Sequence, residues 1–327
     1  MVREAVTVSV LLMLLPLLVV VGDVGPERYL MLQFLRSQYV EEVGLLRAST
    51  VSYPDNITIY IANDNLLASR ALAVLGDREL SSKILSKLNN EYSGGFNGKV
   101  EILFGVDIPD VFYTARYEYI GEVNGYRIIY EKPGDQVIDD WYEYADLLVY
   151  RALDRLLRGS RSHAELLLIN LTMMWDGYGF RDKAFNATGV YATYKCALFI
   201  YLYRALDSAG SDVVKDYSRI RDKCLEIIAL SQDEATGGIR TDYRVIDGRI
   251  IPEGDVNVET TSITVLALFS GYPLIIAGES RGAQYTPNTQ EYSITLVVFG
   301  MVIVIILVVL TLLTEKIKLR ADNPTQD

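Results

Sequence analysis

The sequence contains one histidine and two cysteines among 327 residues, and this scarcity excludes the most common metal-binding and catalytic sites. A Cys/His zinc site needs four such ligands, so none can be assembled. A Ser–His–Asp triad would have to use His163, which lies in a Ser-His-Ala-Glu segment typical of an exposed helix start. Any catalysis must therefore depend on carboxylates, tyrosine, lysine or arginine, and neither a metal nor a cofactor is predicted.

Basic residues are also in deficit, since 31 Lys and Arg stand against 42 Asp and Glu, a formal net charge of -11. Proteins that bind nucleic acids need a basic surface to displace counterions from the phosphates. The charge therefore argues against a nucleic-acid partner. An acidic exterior mainly keeps a protein soluble.

Long uncharged apolar runs are confined to the two ends of the chain. The run 294–313 has no charged residue, and about 20 residues at roughly 1.5 Å per residue match the thickness of a bilayer core. It predicts a transmembrane helix over 293–314. Lys316, Lys318 and Arg320 follow closely, so the positive-inside rule makes the tail 315–327 cytoplasmic and the body extracytoplasmic.

The first 25 residues form the second apolar run, with Arg3 and Glu4 before a Leu/Val-rich stretch. They predict a signal peptide or an uncleaved signal anchor, and both leave the body outside. The domain is then expected over 26–277, and a linker rich in Gly, Ser, Thr, Pro and Gln over 278–292. The prediction is a single-pass protein of the cell membrane.

Apolar residues recur at helical spacing through most of the chain and predict about nine helices. Alternating residues predict a β-hairpin insertion over about 99–132 and a second hairpin from Gly237 to Ile251. Three helices contain Arg-Ala-Leu, and each is followed by an amphipathic helix. This alternation favours an array in which apolar helices line the inside, and generic helical periodicity is the alternative.

Several segments within 27–271 resemble the six-hairpin glycosidase-like group, α/α toroids that include many glycan hydrolases and lyases. They are Ile-Ala-Asn-Asp-Asn-Leu-Leu at 61–67, Tyr-Ala-Asp at 144–146, Met-Trp-Asp-Gly-Tyr-Gly-Phe at 174–180, and Thr-Gly-Gly-Ile-Arg-Thr-Asp-Tyr at 236–243, leading to Val-Glu-Thr-Thr at 258–261. The resemblance implies an all-α, α/α-toroid-like array of helical hairpins with a small β insertion. It also implies a cup where the loops feeding the inner helices meet.

This cup would bring together carboxylates and aromatic faces, which suit the hydroxyl edges and CH patches of sugar rings. Glycoside cleavage needs one protonated and one ionised carboxyl, and the expected pair is Asp176 with Asp64 or Glu259. The expected substrate-binding residues are Trp141, Trp175, Tyr178, Tyr194, Asp182 and Asp242.

Each catalytic candidate also fits a structural role. Asp64 is suited to cap a helix, Asp176 to form a turn, and Glu259 to complement the positive end of a helix. The leading hypothesis is a membrane-anchored, cell-surface glycan-processing enzyme, a hydrolase or lyase. The alternative is a non-catalytic protein that binds glycans or a neighbouring protein of the cell envelope.

Cys196 and Cys224 are equally distant from a turn near Gly210, which would place them side by side on an antiparallel hairpin. Outside the cytoplasm this arrangement favours a disulfide. Three asparagines match the N-glycosylation pattern, namely Asn56, Asn170 and Asn186.

Overall fold

The stretches with helical spacing form helices in the computed structural model, which describes residues 26–50, 59–123 and 126–272. The described helices are α1 (Arg28–Gln38), α2 (Ala62–Leu75), α3 (Arg78–Glu91), α4 (Ala145–Leu157), α5 (Arg161–Thr172), α6 (Lys183–Thr188), α7 (Thr193–Ser208), α8 (Ser218–Ser231) and α9 (Val258–Phe269). Short 3₁₀ turns occupy Ser93–Gly95, Val100–Phe104, Trp141–Glu143 and Val213–Tyr217. The described strands are β1 (Tyr39–Val40), β2 (Leu45–Leu46), β3 (Ile59–Ile61), β4 (Tyr113–Val123), β5 (Tyr126–Val137), β6 (Tyr191–Ala192), β7 (Ile239–Ile246) and β8 (Arg249–Asn257).

Four helices, α2, α4, α7 and α9, form the centre of the molecule and are buried on most sides. In α7, for example, 12 of 16 residues are buried. A helix that is apolar around most of its circumference must be covered by its neighbours. The helices α3, α5 and α8 each pack against the central helix that precedes them, while α9 packs against α1, α2 and α7.

The central helices all begin directly after an extended residue, which places their first turns near strand ends. The helices α2, α7 and α9 follow β3, β6 and β8 without a connecting loop, and α4 follows the extended residue Tyr144. The first turns carry polar residues, namely Asp64, Asp146, Tyr194 and Glu259.

The strands form three small sheets. β1 pairs with β2, and β6, β7 and β8 form an antiparallel sheet in that order. In the third sheet, β5 lies between β3, to which it is parallel, and β4, to which it is antiparallel. This register puts Tyr117 of β4 directly opposite Glu131 of β5.

The prediction of an all-α, toroid-like fold is wrong. Of the described residues, 54% are helical and 22% are in strands, and the class is mixed α/β. The predicted β-hairpin insertion is a sheet of its own, because β5 runs to Val137 and also pairs with β3. The second predicted hairpin consists of β7 and β8, and β6 pairs with β7 as a third strand.

Within the described residues, no helix combines the length and the apolar character needed to cross a membrane. The predicted signal segment 1–25, linker 278–292, transmembrane helix 293–314 and tail 315–327 all lie outside these residues.

Cys196 of α7 and Cys224 of α8 are fully buried free thiols rather than the predicted disulfide. The two helices do pack against each other, but the two cysteines are not at disulfide distance. A disulfide requires a narrow range of separation, so adjacency on packed helices is not sufficient. The Cys196 Sγ atom lies 3.9 Å from the Tyr243 hydroxyl.

Candidate functional site

Four carboxyl groups form the acidic cluster: Asp64 interacts electrostatically with Glu259 and Glu131, and Glu259 interacts with Glu131 and Asp146. Three of them belong to the first turns of α2, α4 and α9, where the strand-to-helix connections place them. Glu131 comes from β5. Lys99 acts electrostatically on Glu259, and the charges of the cluster in turn act on the phenols of Tyr117, Tyr150 and Tyr194.

Glu259 has the ionisation behaviour of a general acid. Burial, followed by the charges of Glu131 and Asp146, raises the pKa of Glu259 to about 7, while Lys99 lowers it. The residue as a whole is half-buried, and its carboxyl lies in the buried part of the site. Its position in the first turn of α9 is fixed by Asn257, which caps the helix by accepting a hydrogen bond from the Thr260 N–H at 2.8 Å.

Asp64 lies deeper than Glu259, with only 7% of its surface exposed. Burial, followed by the charges of Glu259 and Glu131, raises the pKa of Asp64 well above its ordinary value. The structure therefore brings Asp64 and Glu259 into electrostatic contact, whereas the pair expected from the sequence was Asp176 with one of these two. Two carboxyls that repel each other in a buried site hold protons at higher pH than they would in water.

Glu131 is held by donors from a loop and from β4. The Asn97 side chain donates to its Oε1 atom at 3.2 Å, the Lys99 ammonium lies 3.4 Å from the same oxygen, and Tyr117 donates a further hydrogen bond. Tyr117 is 63% exposed, so it marks the side of the acidic cluster that faces solvent.

Two tyrosines lie on the inner side of the cluster and remain protonated donors. The Tyr194 hydroxyl donates to Asp146 at 3.2 Å, and Tyr150 lies one helical turn after Asp146. Burial, followed by the charge of Asp146, raises the pKa of both phenols well above the ordinary value. The cluster thus combines carboxyls of raised pKa with further carboxyl groups and hydroxyl donors, which are the groups that general acid–base chemistry uses.

Asp176, the third predicted catalytic residue, stabilises a turn instead. Its carboxylate accepts hydrogen bonds from the N–H groups of Tyr178 at 2.9 Å and Gly179 at 3.1 Å, and from the Tyr191 hydroxyl at 2.6 Å. This is the turn chemistry that the sequence offered as the alternative.

Asp182 and Asp242 lie beside Lys195 of α7. Asp182 forms a buried ion pair with Lys195 at 2.6 Å and accepts the Ala145 N–H at the start of α4, a structural arrangement. Asp242 of β7 is half-buried and accepts the Thr241 hydroxyl at 2.6 Å. Burial raises the pKa of Asp242, while Lys195 acts to lower it.

Of the predicted aromatic residues, Tyr194 belongs to the acidic cluster, whereas the two tryptophans pack against other aromatic rings. The Trp141 ring lies 6.0 Å from Phe112, and the Trp175 ring meets Phe180 edge-on at 5.1 Å. Tyr178 is exposed next to the turn of Asp176.

Sequence reasoning missed Glu131, Lys99, Tyr117 and Tyr150 as site residues. Asp146 offered a signal, since it opens an Arg-Ala-Leu helix as Asp64 does. Glu131 has no local sequence signal of this kind, because only the pairing of β5 with β3 and β4 brings it to the cluster.

The single histidine is exposed, as are the glycosylation candidates Asn170 and Asn186, while Asn56 lies outside the described residues. No group of three or more His, Cys, Asp or Glu among the described residues is arranged to hold a metal ion. Comparisons with protein-family models, curated proteins and solved structures found no match for this chain. The resemblance to six-hairpin glycosidases therefore has no support from these comparisons and stays a prediction.

Proposed function

We propose that the acidic cluster is the active site of a cell-surface enzyme that cleaves glycans. The observation that carries this proposal is the raised pKa of Glu259, about 7, beside other carboxyls in a site that solvent reaches. Structural carboxylates are usually paired with cations, whereas acid–base sites keep one carboxyl protonated near neutral pH.

Hydrolysis of a glycosidic bond uses both forms of the carboxyl group. Protonated Glu259 donates its proton to the departing glycosidic oxygen, and an ionised carboxylate of the cluster assists attack at the anomeric carbon. The exposed Tyr117 ring offers a face for the CH patches of a sugar and a hydroxyl for its polar edge. A lyase would use the same cluster for proton abstraction, and the products distinguish the two reactions.

Two sequence features support a location at the cell surface. The segment 293–314 has the length and composition of a transmembrane helix. Asn170 and Asn186, in N-glycosylation patterns, are both exposed. We therefore propose that the domain is extracytoplasmic and works on glycans near the membrane.

One observation favours a second candidate, a non-catalytic protein that binds glycans or an envelope protein. Next to the cluster, the edge strand β4 exposes Tyr117 and Tyr119, at 63% and 57%. Exposed aromatic residues on a rigid strand are common at binding surfaces.

The first experiment incubates the full-length protein with a panel of surface polysaccharides and glycoprotein glycans, and identifies products by mass spectrometry. Glu259→Gln is compared with Glu226→Gln, because Glu226 forms only a surface pair with Lys223 at 2.8 Å. We expect fragments from the wild type and from Glu226→Gln, but not from Glu259→Gln. Retention of a glycan without fragments would instead support the binding protein.

A further inference from the structure

We infer that Glu131 is the ionised carboxylate that works with Glu259, and that Lys99 is the positioning residue that keeps Glu131 charged. The inference rests on the proposed function, because it assigns the second catalytic role within the same cluster. It follows from a loop that directs two side-chain donors, those of Asn97 and Lys99, at the Glu131 carboxylate.

This loop, residues 95–101, is fixed from within by Glu101. Glu101 is 5% exposed, and its carboxylate accepts the N–H groups of Asn97 at 3.3 Å, Gly98 at 2.7 Å and Lys99 at 3.1 Å. The start of the loop lies tightly on α2, because a Cβ at Gly95 would be 2.9 Å from the Ala62 carbonyl oxygen. The positions of Asn97 and Lys99 are therefore set before any substrate arrives.

The loop directs two donors at a single oxygen of Glu131. The Asn97 amide and the Lys99 ammonium contact Oε1 at 3.2 and 3.4 Å, and the two side chains of the ion pair are only 18% and 20% exposed. An ammonium and an amide donor stabilise the charged form of a carboxylate, more strongly in a site with little water.

The backbone of Glu131 is held as firmly as its side chain. The Asn63 side chain accepts the Glu131 N–H at 2.9 Å and donates to the Glu131 carbonyl oxygen at 3.1 Å. The preceding residue, Tyr130, donates its hydroxyl to the Phe96 carbonyl oxygen in the loop at 2.7 Å. Because Asn63 precedes Asp64 in α2, these bonds fix the backbone of Glu131 next to the first turn of α2.

The other carboxyls are less suited to the ionised role. Asp64 is almost fully buried and favours its protonated form, and the Tyr194 hydroxyl that donates to Asp146 is neutral, so it stabilises a carboxylate less strongly than the Lys99 ammonium does. Lys99 makes its ion pair with Glu131. The charged or titratable groups that face Glu131 are Lys99, Asp64, Glu259, Tyr117 and Tyr150.

In the proposed step, Glu131 accepts a proton from the water whose oxygen bonds to the anomeric carbon. The bond from that carbon to the glycosidic oxygen breaks, and Glu259 protonates the departing oxygen. The reaction consumes one water and leaves Glu131 protonated and Glu259 ionised. Proton exchange with solvent then restores the starting state.

The test measures carboxyl titration in the full-length protein by infrared spectroscopy, with the Glu259 band assigned by its loss in Glu259→Gln. If Glu131 is ionised, Glu131→Gln removes a negative neighbour and lowers the pKa of Glu259 by about one unit or more. Lys99→Met raises the pH at which the cluster takes up protons, and Lys99→Arg restores it. Lys215→Met is the control, since Lys215 pairs with Asp212 on the surface.

An unchanged Glu259 pKa in Glu131→Gln, or an unchanged titration in Lys99→Met, overturns the inference. On a glycan cleaved in the panel, Glu131→Gln should lower kcat by about 10²-fold or more with little change in KM. A shifted titration with unchanged kcat overturns the catalytic role of Glu131. If the wild type cleaves no glycan, the proposed function fails, while the titration still decides the charge on Glu131.

Discussion

The fold places Glu259 in an environment that destabilises the ionised form of its carboxyl group. Burial and the neighbouring carboxylates both raise its pKa, and Asp64 is affected in the same direction. A neutral isostere would avoid this cost, so the arrangement indicates a requirement other than stability.

This environment predicts an inverse dependence of stability on pH. The folded protein holds a proton on Glu259 up to pH about 7, whereas the unfolded chain releases it near 4.5. Since the folded state binds more protons between these values, stability falls as pH rises through this window, by at most about 3.5 kcal/mol from this residue. Glu259→Gln should reduce this slope and be at least as stable as the wild type at pH 8.

Urea unfolding at pH 5 and pH 8 measures the effect, with Glu226→Gln as the control that should retain the wild-type slope. Asp64 contributes in the same direction, so part of the slope should persist in Glu259→Gln. A Glu259→Gln variant with the full wild-type slope would show that Glu259 is ionised well below neutral pH.

The Asp182–Lys195 pair provides a second prediction, in which stability rather than catalysis changes. The two side chains are 0% and 5% exposed, so Lys195→Met leaves an uncompensated buried carboxylate. We expect a loss of about 3–5 kcal/mol in the free energy of unfolding. Lys215→Met, which breaks an exposed pair, should change it by less than about 1 kcal/mol.

Thermal unfolding with a double-mutant cycle checks this prediction. Adding Asp182→Asn to Lys195→Met should cost much less than the sum of the single changes, because the buried charge is removed. Additive losses would show that the two groups do not form a coupled pair.

At the residue scale, the sequence identified the part of the site that depends on local position. Asp64 and Glu259 were recognisable because each opens an apolar helix. Glu131 and Tyr117 were not, since a strand reveals its partner only through register, which is fixed by pairing distant in sequence. Asp176 accepts the hydrogen bonds of a turn, the alternative that the sequence left open, because a turn carboxylate and a catalytic one have the same local signature.

At the scale of elements, the turn that holds Asp176 depends on the absence of a side chain at Gly179. A Cβ there would collide with the Tyr191 ring and the Tyr243 hydroxyl, whose rings stack at 5.1 Å. Gly179→Ala should therefore lower the free energy of unfolding by about 1–3 kcal/mol.

Chemical denaturation compares Gly179→Ala with Gly121→Ala, where a Cβ would meet no described heavy atom within 4 Å. Gly121→Ala should be nearly neutral. Equal losses in both variants would contradict the steric explanation. Since the Asp176 turn is separate from the acidic cluster, kcat on a cleaved glycan should change little in folded Gly179→Ala.

The helices and the two long hairpins were predictable because their periodicity extends over many residues. β3 and β6 were not, since two or three residues carry no period. These short strands nevertheless turn each hairpin into a sheet and set the start of α2 and α7. The fold class was wrong because most of the strand residues lie in the two long hairpins, which the resemblance to α/α toroids treated as additions to an all-α array.

At the scale of the whole molecule, the central helices come from distant parts of the sequence and bury one another's apolar surfaces. α9, the last described helix, packs against α2 and α7, which begin 196 and 65 residues earlier. None of the three has a large exposed face. The core, and with it the acidic cluster, is therefore complete only when α9 is in place.

This interdependence predicts that α2, α7 and α9 exchange their amide hydrogens as one cooperative unit. Their peptides should share the slowest rates, governed by global unfolding, while the edge strand β4 exchanges through local opening. Hydrogen exchange read by mass spectrometry at increasing urea measures the opening free energies, which should converge for the three helices. An α9 peptide with a lower opening free energy than α2 would show that Asp64 and Glu259 belong to separately stable parts. In the partly open form, the two carboxyls could not then raise each other's pKa.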